Sequence, residues 1–355
     1  MTPITSASYS IYFNDDAYQN LNAYIAKNEI ETIFILADKN TQQHCLPKFK
    51  TKISNTVALQ TITINDGEIN KNINTCVEVW KALTELEADR KSLIINIGGG
   101  MVTDLGGFVA STFKRGIKFI NIPTTLLSMV DASVGSKTGV DLDNLKNLVG
   151  LFSNPEMVLI DSTFLETLPE RELKSGVAEV IKYGLTFDAD LLETIKQDKW
   201  KEVAALNNII YQSIEIKNKV VLEDFKETGL RKVLNFGHTV GHAIESYYLD
   251  HKDLDRLLHG EAIAIGMVVE AYISKEIHGF PEEELASLKQ YVLKTYGKTS
   301  IAKKHVPAIL ELMKHDKKNI KGTVRYILLK NIGEFVIDAE ATNAMVIEGL
   351  DYYEQ

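Results

Sequence analysis

His238 and His242 stand four residues apart in Asn235-Phe236-Gly237-His238-Thr239-Val240-Gly241-His242-Ala243, so a helix would carry both on one face. His259 follows in Leu258-His259-Gly260-Glu261, which gathers three of the eight histidines into a short stretch beside glycines that permit close approach. Glu179 and Lys182, at i and i+3 of Ala178-Glu179-Val180-Ile181-Lys182-Tyr183-Gly184, are polar in a segment otherwise suited to burial. A carboxylate with imidazoles is the donor set of a catalytic Zn2+ that keeps one coordination position open. Any one of these histidines taken alone reads as a hydrogen-bonded core residue; the cluster with Glu179 reads as a metal centre. Spacing nominates His238 and His242 as the ligand pair, yet the glutamate of H-E-x-x-H is missing, which argues against a protease.

A second group of residues suits anions. Ile97-Gly98-Gly99-Gly100-Met101-Val102-Thr103-Asp104 follows a buried-type strand and precedes an apolar-periodic segment, so its amides suit a pyrophosphate at a helix N-terminus. A tight turn needing positive φ is the plain alternative, and G-x-G-x-x-G is absent. Asp66-Gly67-Glu68 with Lys71, and Asp38 with Asn40, follow strands, where ribose and phosphate groups collect in open parallel sheets. Each also fits ordinary turn and N-cap chemistry. Pro123 to Gly139 packs hydroxyl, small and charged residues, and a buried Asp131 near Lys137 points to a ligand pocket. Lys146 and Asn147 continue that polarity. Arg115 reads as a solvated loop charge. Lys217, Arg231, Lys317 and Lys318, if convergent, would bind a small polyanion such as a phosphorylated carboxylic acid.

The elements that must position these groups are legible in the hydrophobic pattern. Thr32–Leu36, Leu59–Ile64, Ser92–Ile97, Lys118–Ile122 and Met157–Ile160 are short β-branched runs, and Asn72–Leu86 has helical periodicity, as βαβ units require. From Glu170 to about Met313 long 3.6-period segments dominate, with Val324–Leu329 and Glu334–Ile337 expected as a late hairpin. The expectation is an α/β domain over 1–168, with a parallel sheet, followed by a mostly helical domain over 169–355. The 355 residues carry 39 basic and 48 acidic side chains, a formal charge of −9, which argues against a nucleic-acid-binding surface. Cys45 and Cys76 are too few for a disulfide framework. Met1 to Asp15 lacks a signal-peptide pattern, and no run approaches the roughly 18–20 apolar residues of a membrane span. A cytoplasmic protein without membrane partners is expected.

Together the glycine run to Asp104, Pro123 to Gly139, Lys146-Asn147, Glu179 to Lys182, Leu234 to Ala243, His259-Gly260-Glu261 and Asp316-Lys317-Lys318 resemble the 3-dehydroquinate synthase family in order and spacing. The resemblance implies a Rossmann-like NAD domain, then an α-helical domain, with the active site in the cleft between them. It implies Glu179, His238 and His259 as ligands of Zn2+, with Co2+ an alternative, and His242 as a phosphate contact. By the same resemblance Asp131, Lys137, Lys146, Asn147, Lys182, Lys217, Arg231, Asn235 and Lys317 or Lys318 serve the substrate, and Arg115 is donated across a homodimer. NAD would be held by Asp38, Asn40, Glu68, Lys71, Gly99, Gly100, Asp104, Thr124, Thr125 and Thr167. Two departures stand out: Ser136 where the family usually has glycine, and Leu145 likewise.

The implied reaction turns 3-deoxy-D-arabino-heptulosonate 7-phosphate into 3-dehydroquinate and phosphate: oxidation at C5, elimination, re-reduction, ring opening and aldol closure. Related sugar phosphate cyclases share this machinery, metal-dependent polyol dehydrogenases would release NADH, and a ligand-sensing scaffold would bind NAD without turnover.

Overall fold

Continuous apolar runs place β-strands where both faces are covered, as parallel sheets demand. In the computed structural model, which describes residues 1–54, 57–143, 145–251, 253–314 and 323–355, chain contacts divide the protein into two units, Met1–Leu173 and Lys174–Gln355. The expected boundary at 168/169 lies just before the helix Glu170–Thr186, and this division falls within the first turn of that helix.

The first unit holds a seven-stranded sheet. Its strands are β1 (Ile4–Thr5), β2 (Ser10–Phe13), β3 (Thr32–Asp38), β4 (Ala58–Ile64), β5 (Leu93–Gly98), β6 (Lys118–Pro123) and β9 (Met157–Ile160), ordered β1-β2-β9-β6-β5-β3-β4. A hairpin, β7 (Lys137–Leu142) and β8 (Leu145–Phe152), stands apart from that sheet. All pairings in the large sheet are parallel except β1 with β2. Helices α1 (Asn14–Lys27), α2 (Lys39–His44), α3 (Leu46–Lys52), α4 (Ile73–Glu85) and α5 (Gly100–Thr112) connect the strands. From α4 and α5, Val79, Leu83, Val102 and Leu105 pack with Phe34, Leu36 and Ile94. The chain leaves β3 for β4 on one side, then returns to place β5 on the other. The strand order therefore reverses between β3 and β5, and ligands of open α/β sheets bind outside the carboxyl ends of strands at such a point.

The second unit is helical: α6 (Glu170–Thr186, whose first turn belongs to the first unit), α7 (Ala189–Lys196), α8 (Val203–Glu223), α9 (His238–Asp250), α10 (His259–His278), α11 (Glu282–Tyr296), α12 (Val306–Met313) and α13 (Asn343–Glu354). A hairpin of β10 (Tyr326–Asn331) and β11 (Glu334–Ala339) completes it, where a hairpin was expected. Helix α10, with thirteen buried residues, forms its centre. Among the described residues no helix is long and apolar enough to cross a membrane.

Candidate functional site

Every residue of α6 from Ser175 to Thr186 is buried, including Glu179 and Lys182. One helical turn apart, they form an ion pair through Glu179 Oε2. Lys182 thereby turns Oε1 toward two imidazoles: it lies 3.4 Å from His238 Nε2 and 3.4 Å from His259 Nε2.

Local chemistry brings these groups together. Helix α9 starts at His238 because Gly237 takes φ +79°, a conformation L side chains rarely adopt. The buried carboxylate of Glu270 accepts the Gly237 N–H at 2.8 Å and the Val240 N–H at 3.2 Å, capping α9 with negative charge where its amides are unsatisfied. A Cβ at Gly266 would lie 2.0 Å from the Gly237 carbonyl, so only glycine lets α10 come this close. The start of α10 is drawn onto α6 in the same way: Gly260 N–H donates to Ser175 Oγ at 3.0 Å.

Both imidazoles are held in one tautomer. His238 Nδ1 lies 3.0 Å from the Phe236 carbonyl, which can only accept, so Nδ1 carries the hydrogen and Nε2 keeps its lone pair. His259 Nδ1 lies 2.9 Å from Glu245 Oε2, with the same consequence. Two nitrogen lone pairs and a carboxylate oxygen facing one another call for positive charge. Burial opposes charge on His259, but Glu245 and Glu179 outweigh it and carry its pKa up to about 10. A proton meets that demand, and so does a divalent cation, whose usual N/O donors these are; the residues fit a metal. His242 borders the same point from the next turn of α9: the ligand atoms of His238, His242 and His259 lie within 4.8 Å of one another. The spacing-based pair and the Glu179-His238-His259 set are thus parts of one cluster, with Glu179 Oε1 directed at His238 and His259.

Other expected residues of this unit are buried cations and their neighbours. Lys217 on α8 is 6% exposed and Arg231 2% exposed, unusual for their types. Arg231 Nη1 donates to the Phe225 carbonyl at 2.7 Å, and Asn235 Nδ2 donates to Glu227 Oε1 at 2.6 Å. Glu227 and Glu245 were not anticipated; Glu245 carries a helical signal, three residues after His242 on α9, whereas Glu227 stands in a turn at φ 61° and carries none. Lys317 and Lys318 lie outside the described residues.

In the first unit the residues expected to hold a nucleotide sit beyond the carboxyl ends of parallel strands. Asp38 ends β3, Glu68 and Lys71 follow β4, Gly98 ends β5, Thr124 and Thr125 follow β6, and Thr167 lies after β9. Gly98, Gly99 and Gly100 all lack positive φ, so the tight-turn alternative fails. Close packing replaces it: a Cβ at Gly98 would lie 2.5 Å from Val102, and one at Gly99 3.1 Å from Thr125. Gly99 caps α5, whose first amides suit an anion. Asp38 also performs the plain capping role, accepting Thr41 N–H at 2.8 Å, while Asn40 and Thr167 are exposed.

Buried Lys71 donates to Asp104 Oδ2 and Asn147 Oδ1, both at 2.6 Å. Lys146 pairs with Glu68 at 2.8 Å and Asp141 at 3.4 Å. Burial opposes the charge of Lys71, yet Asp104, Glu68 and Asp141 hold it protonated. The residues assigned by resemblance to nucleotide and to substrate therefore share one charge network here. Asn147, at φ 52°, donates its N–H to Asp141 Oδ1 at 2.7 Å beside a break in the β7–β8 register. Half-buried Asp131 lies in a π-helical turn, Ser128–Ala132, and Lys137 opens β7. Ser136 takes φ 64°, which accounts for the glycine usual there, and its hydroxyl bonds Asn154 Oδ1. Leu145 lacks positive φ. Exposed Arg115 has φ 71° directly after Lys114 at φ 48°, a strained pair.

Comparison with known proteins matches residues 61–175 to the model of the 3-dehydroquinate synthase N-terminal region and 176–319 to that of its C-terminal region. The chain is 40% identical over 345 residues to the 3-dehydroquinate synthase of Parabacteroides distasonis, covering 96% of each chain. It is 41% identical over 331 residues to that of Clostridium botulinum, covering 92% of this chain and 93% of the relative. In fold it is similar to 2-deoxy-scyllo-inosose synthase complexed with carbaglucose-6-phosphate, NAD+ and Co2+, with TM-score 0.85, 24% identity, and 98% of this chain and 99% of that one covered.

Proposed function

The chain belongs to the 3-dehydroquinate synthase family, and from that premise we propose that it converts 3-deoxy-D-arabino-heptulosonate 7-phosphate to 3-dehydroquinate and inorganic phosphate. The observation that carries the reading within the structure is Glu179 Oε1 set 3.4 Å from the Nε2 atoms of both His238 and His259. A bound divalent cation, Zn2+ or Co2+, supplies Lewis acidity toward a substrate hydroxyl, and NAD+ supplies a reversible two-electron acceptor, so the net reaction is a redox-neutral carbon-oxygen lyase.

Glu179, His238 and His259 are assigned to the cation, with Lys182 holding Glu179 in orientation. Asp38, Asn40, Glu68, Lys71, Asp104, Thr124, Thr125 and Thr167, with the amides at Gly99 and Gly100, are assigned to the dinucleotide. Their placement beside a topological switch supports this. Lys137, Asn147, Asn235 and His242 are assigned to the phosphate, whose departure they would orient. Lys217, Arg231 and Lys317 or Lys318 take the carboxylate; a guanidinium fork suits it geometrically. Asp131 and Lys146 complete the polar contacts. The enzyme is assigned to the cytoplasm and to a homodimer in which Arg115 reaches the neighbouring subunit; its strained backbone and the exposed apolar Leu148 and Phe152 on β8 support an interface.

The test is phosphate release from the heptulosonate phosphate, with and without NAD+ and a chelator. Release that needs both NAD+ and metal, without net NADH, is expected. Steady NADH accumulation would assign the chain to a dehydrogenase instead, and absence of phosphate release would refute the reading.

A further inference from the structure

We propose that Glu245 is a positioning residue of the metal centre, fixing the tautomer and ring orientation of His259. This rests on the reading of Glu179, His238 and His259 as metal ligands. Glu245 lies three residues after His242 and seven after His238, on the same face of α9, and is 7% exposed. A carboxylate buried that far from water is costly unless it is bonded, and its Oε2 accepts from His259 Nδ1 at 2.9 Å. The bond engages Nδ1, so the opposite nitrogen, Nε2, is the one directed at Glu179 Oε1.

His238 obtains the same constraint from the Phe236 carbonyl of its own chain segment, whereas His259 obtains it from a neighbouring helix. Glu245 therefore also ties α9 to the first residue of α10, where the third histidine begins the helix. A carboxylate partner on the second imidazole nitrogen increases the basicity of the ligating one and removes the need to order the ring on metal binding.

The experiment measures Co2+ and Zn2+ affinity of the purified full-length chain by chelator competition, with the visible spectrum of the Co2+ form as a second readout. Glu245→Ala is expected to weaken binding about 10- to 100-fold and to alter the Co2+ spectrum. Glu245→Gln keeps the shape and an acceptor oxygen, and is expected to lose less affinity while still shifting the spectrum. NAD+ binding, measured in parallel, should be unchanged in both. Wild-type affinity and an unaltered spectrum in Glu245→Ala would overturn the proposal; if that variant does not fold, the same result in Glu245→Gln overturns it. His259→Ala separates the two levels of inference: if it binds Co2+ as tightly as the wild type, the ligand assignment itself is wrong.

Discussion

Gly260→Ala adds one methyl group at the point where α10 touches α6, directly beside His259. The added Cβ would lie 2.0 Å from the Ser175 carbonyl oxygen and 2.6 Å from its carbon, below the 3.0 Å that real Cβ atoms respect. Both neighbours are backbone, so no side chain can swing aside, and the start of α10 must retreat by about 1 Å. Alanine's better helix propensity is worth at most about 1 kcal/mol and less in a first turn. Overpacking costs about 1–3 kcal/mol, and the Gly260 N–H to Ser175 Oγ bond, worth about 1 kcal/mol, is strained as well. Destabilisation wins, with a thermal midpoint lower by about 2–4 °C per kcal/mol for a domain of this size. Metal-ligand distances tolerate only about 0.2 Å, so Co2+ affinity should fall at least about tenfold as His259 moves with the helix. Thermal melts and chelator competition on Gly260→Ala test this, with Ser175→Ala as the control that removes the hydroxyl without the clash. An unchanged melting temperature and metal affinity in Gly260→Ala would refute the claim that close backbone contact sets the ligand geometry.

Three further outcomes are expected. His259 is raised in the folded chain to about 10 against an ordinary value near 6.5, so its contribution to stability is complete below about pH 6.5 and is lost as pH rises toward 10. The stability gap between metal-free wild type and His259→Ala, read from denaturant midpoints, should narrow over that window, and a widening gap would contradict the assignment. Asp141→Ala leaves the left-handed Asn147 without its carboxylate acceptor and should cost about 1–2 kcal/mol together with a raised KM. Asp141→Asn, which keeps an acceptor oxygen, should recover part of both in melts and kinetics; identical losses would remove the hairpin bond from the account. Burial pushes the Cys76 thiol up to about 12, and burial with Asp38 nearby pushes Cys45 up to about 11. Neither should react with a thiol reagent at pH 8 until denaturant is added, and prompt labelling of the native chain would show that these sites open.

Where strands are buried on both faces, hydrophobic pattern alone located them: β3, β5, β6 and β9 stand where the β-branched runs were. β1 went unread because it has two residues, and β2 because Ser10-Ile11-Tyr12-Phe13 is buried only at every second residue, whereas the equally short β9 is a continuous buried apolar run. The β7–β8 hairpin went unread because β7 mixes lysine, threonine, glycine and aspartate, while the apolar residues of β8 are broken by Lys146, Asn147 and Gly150 and none of its residues is fully buried, so neither strand shows a continuous apolar run. Asp38 was readable as either a cap or a ligand group, and its bond to Thr41 establishes the cap while leaving its position at the sheet edge.

By itself, the order of residues determined the two-part architecture and the inventory of donors, because periodicity and residue type are local properties. Only tertiary structure decided which imidazole nitrogen faces which carboxylate oxygen. That choice depends on the Phe236 carbonyl, on Glu245 from a neighbouring helix and on Lys182 holding Glu179, and on helices brought within contact by glycines. Hydrogen-bond direction and sub-ångström separation arise between segments distant in the chain, so no local pattern encodes them.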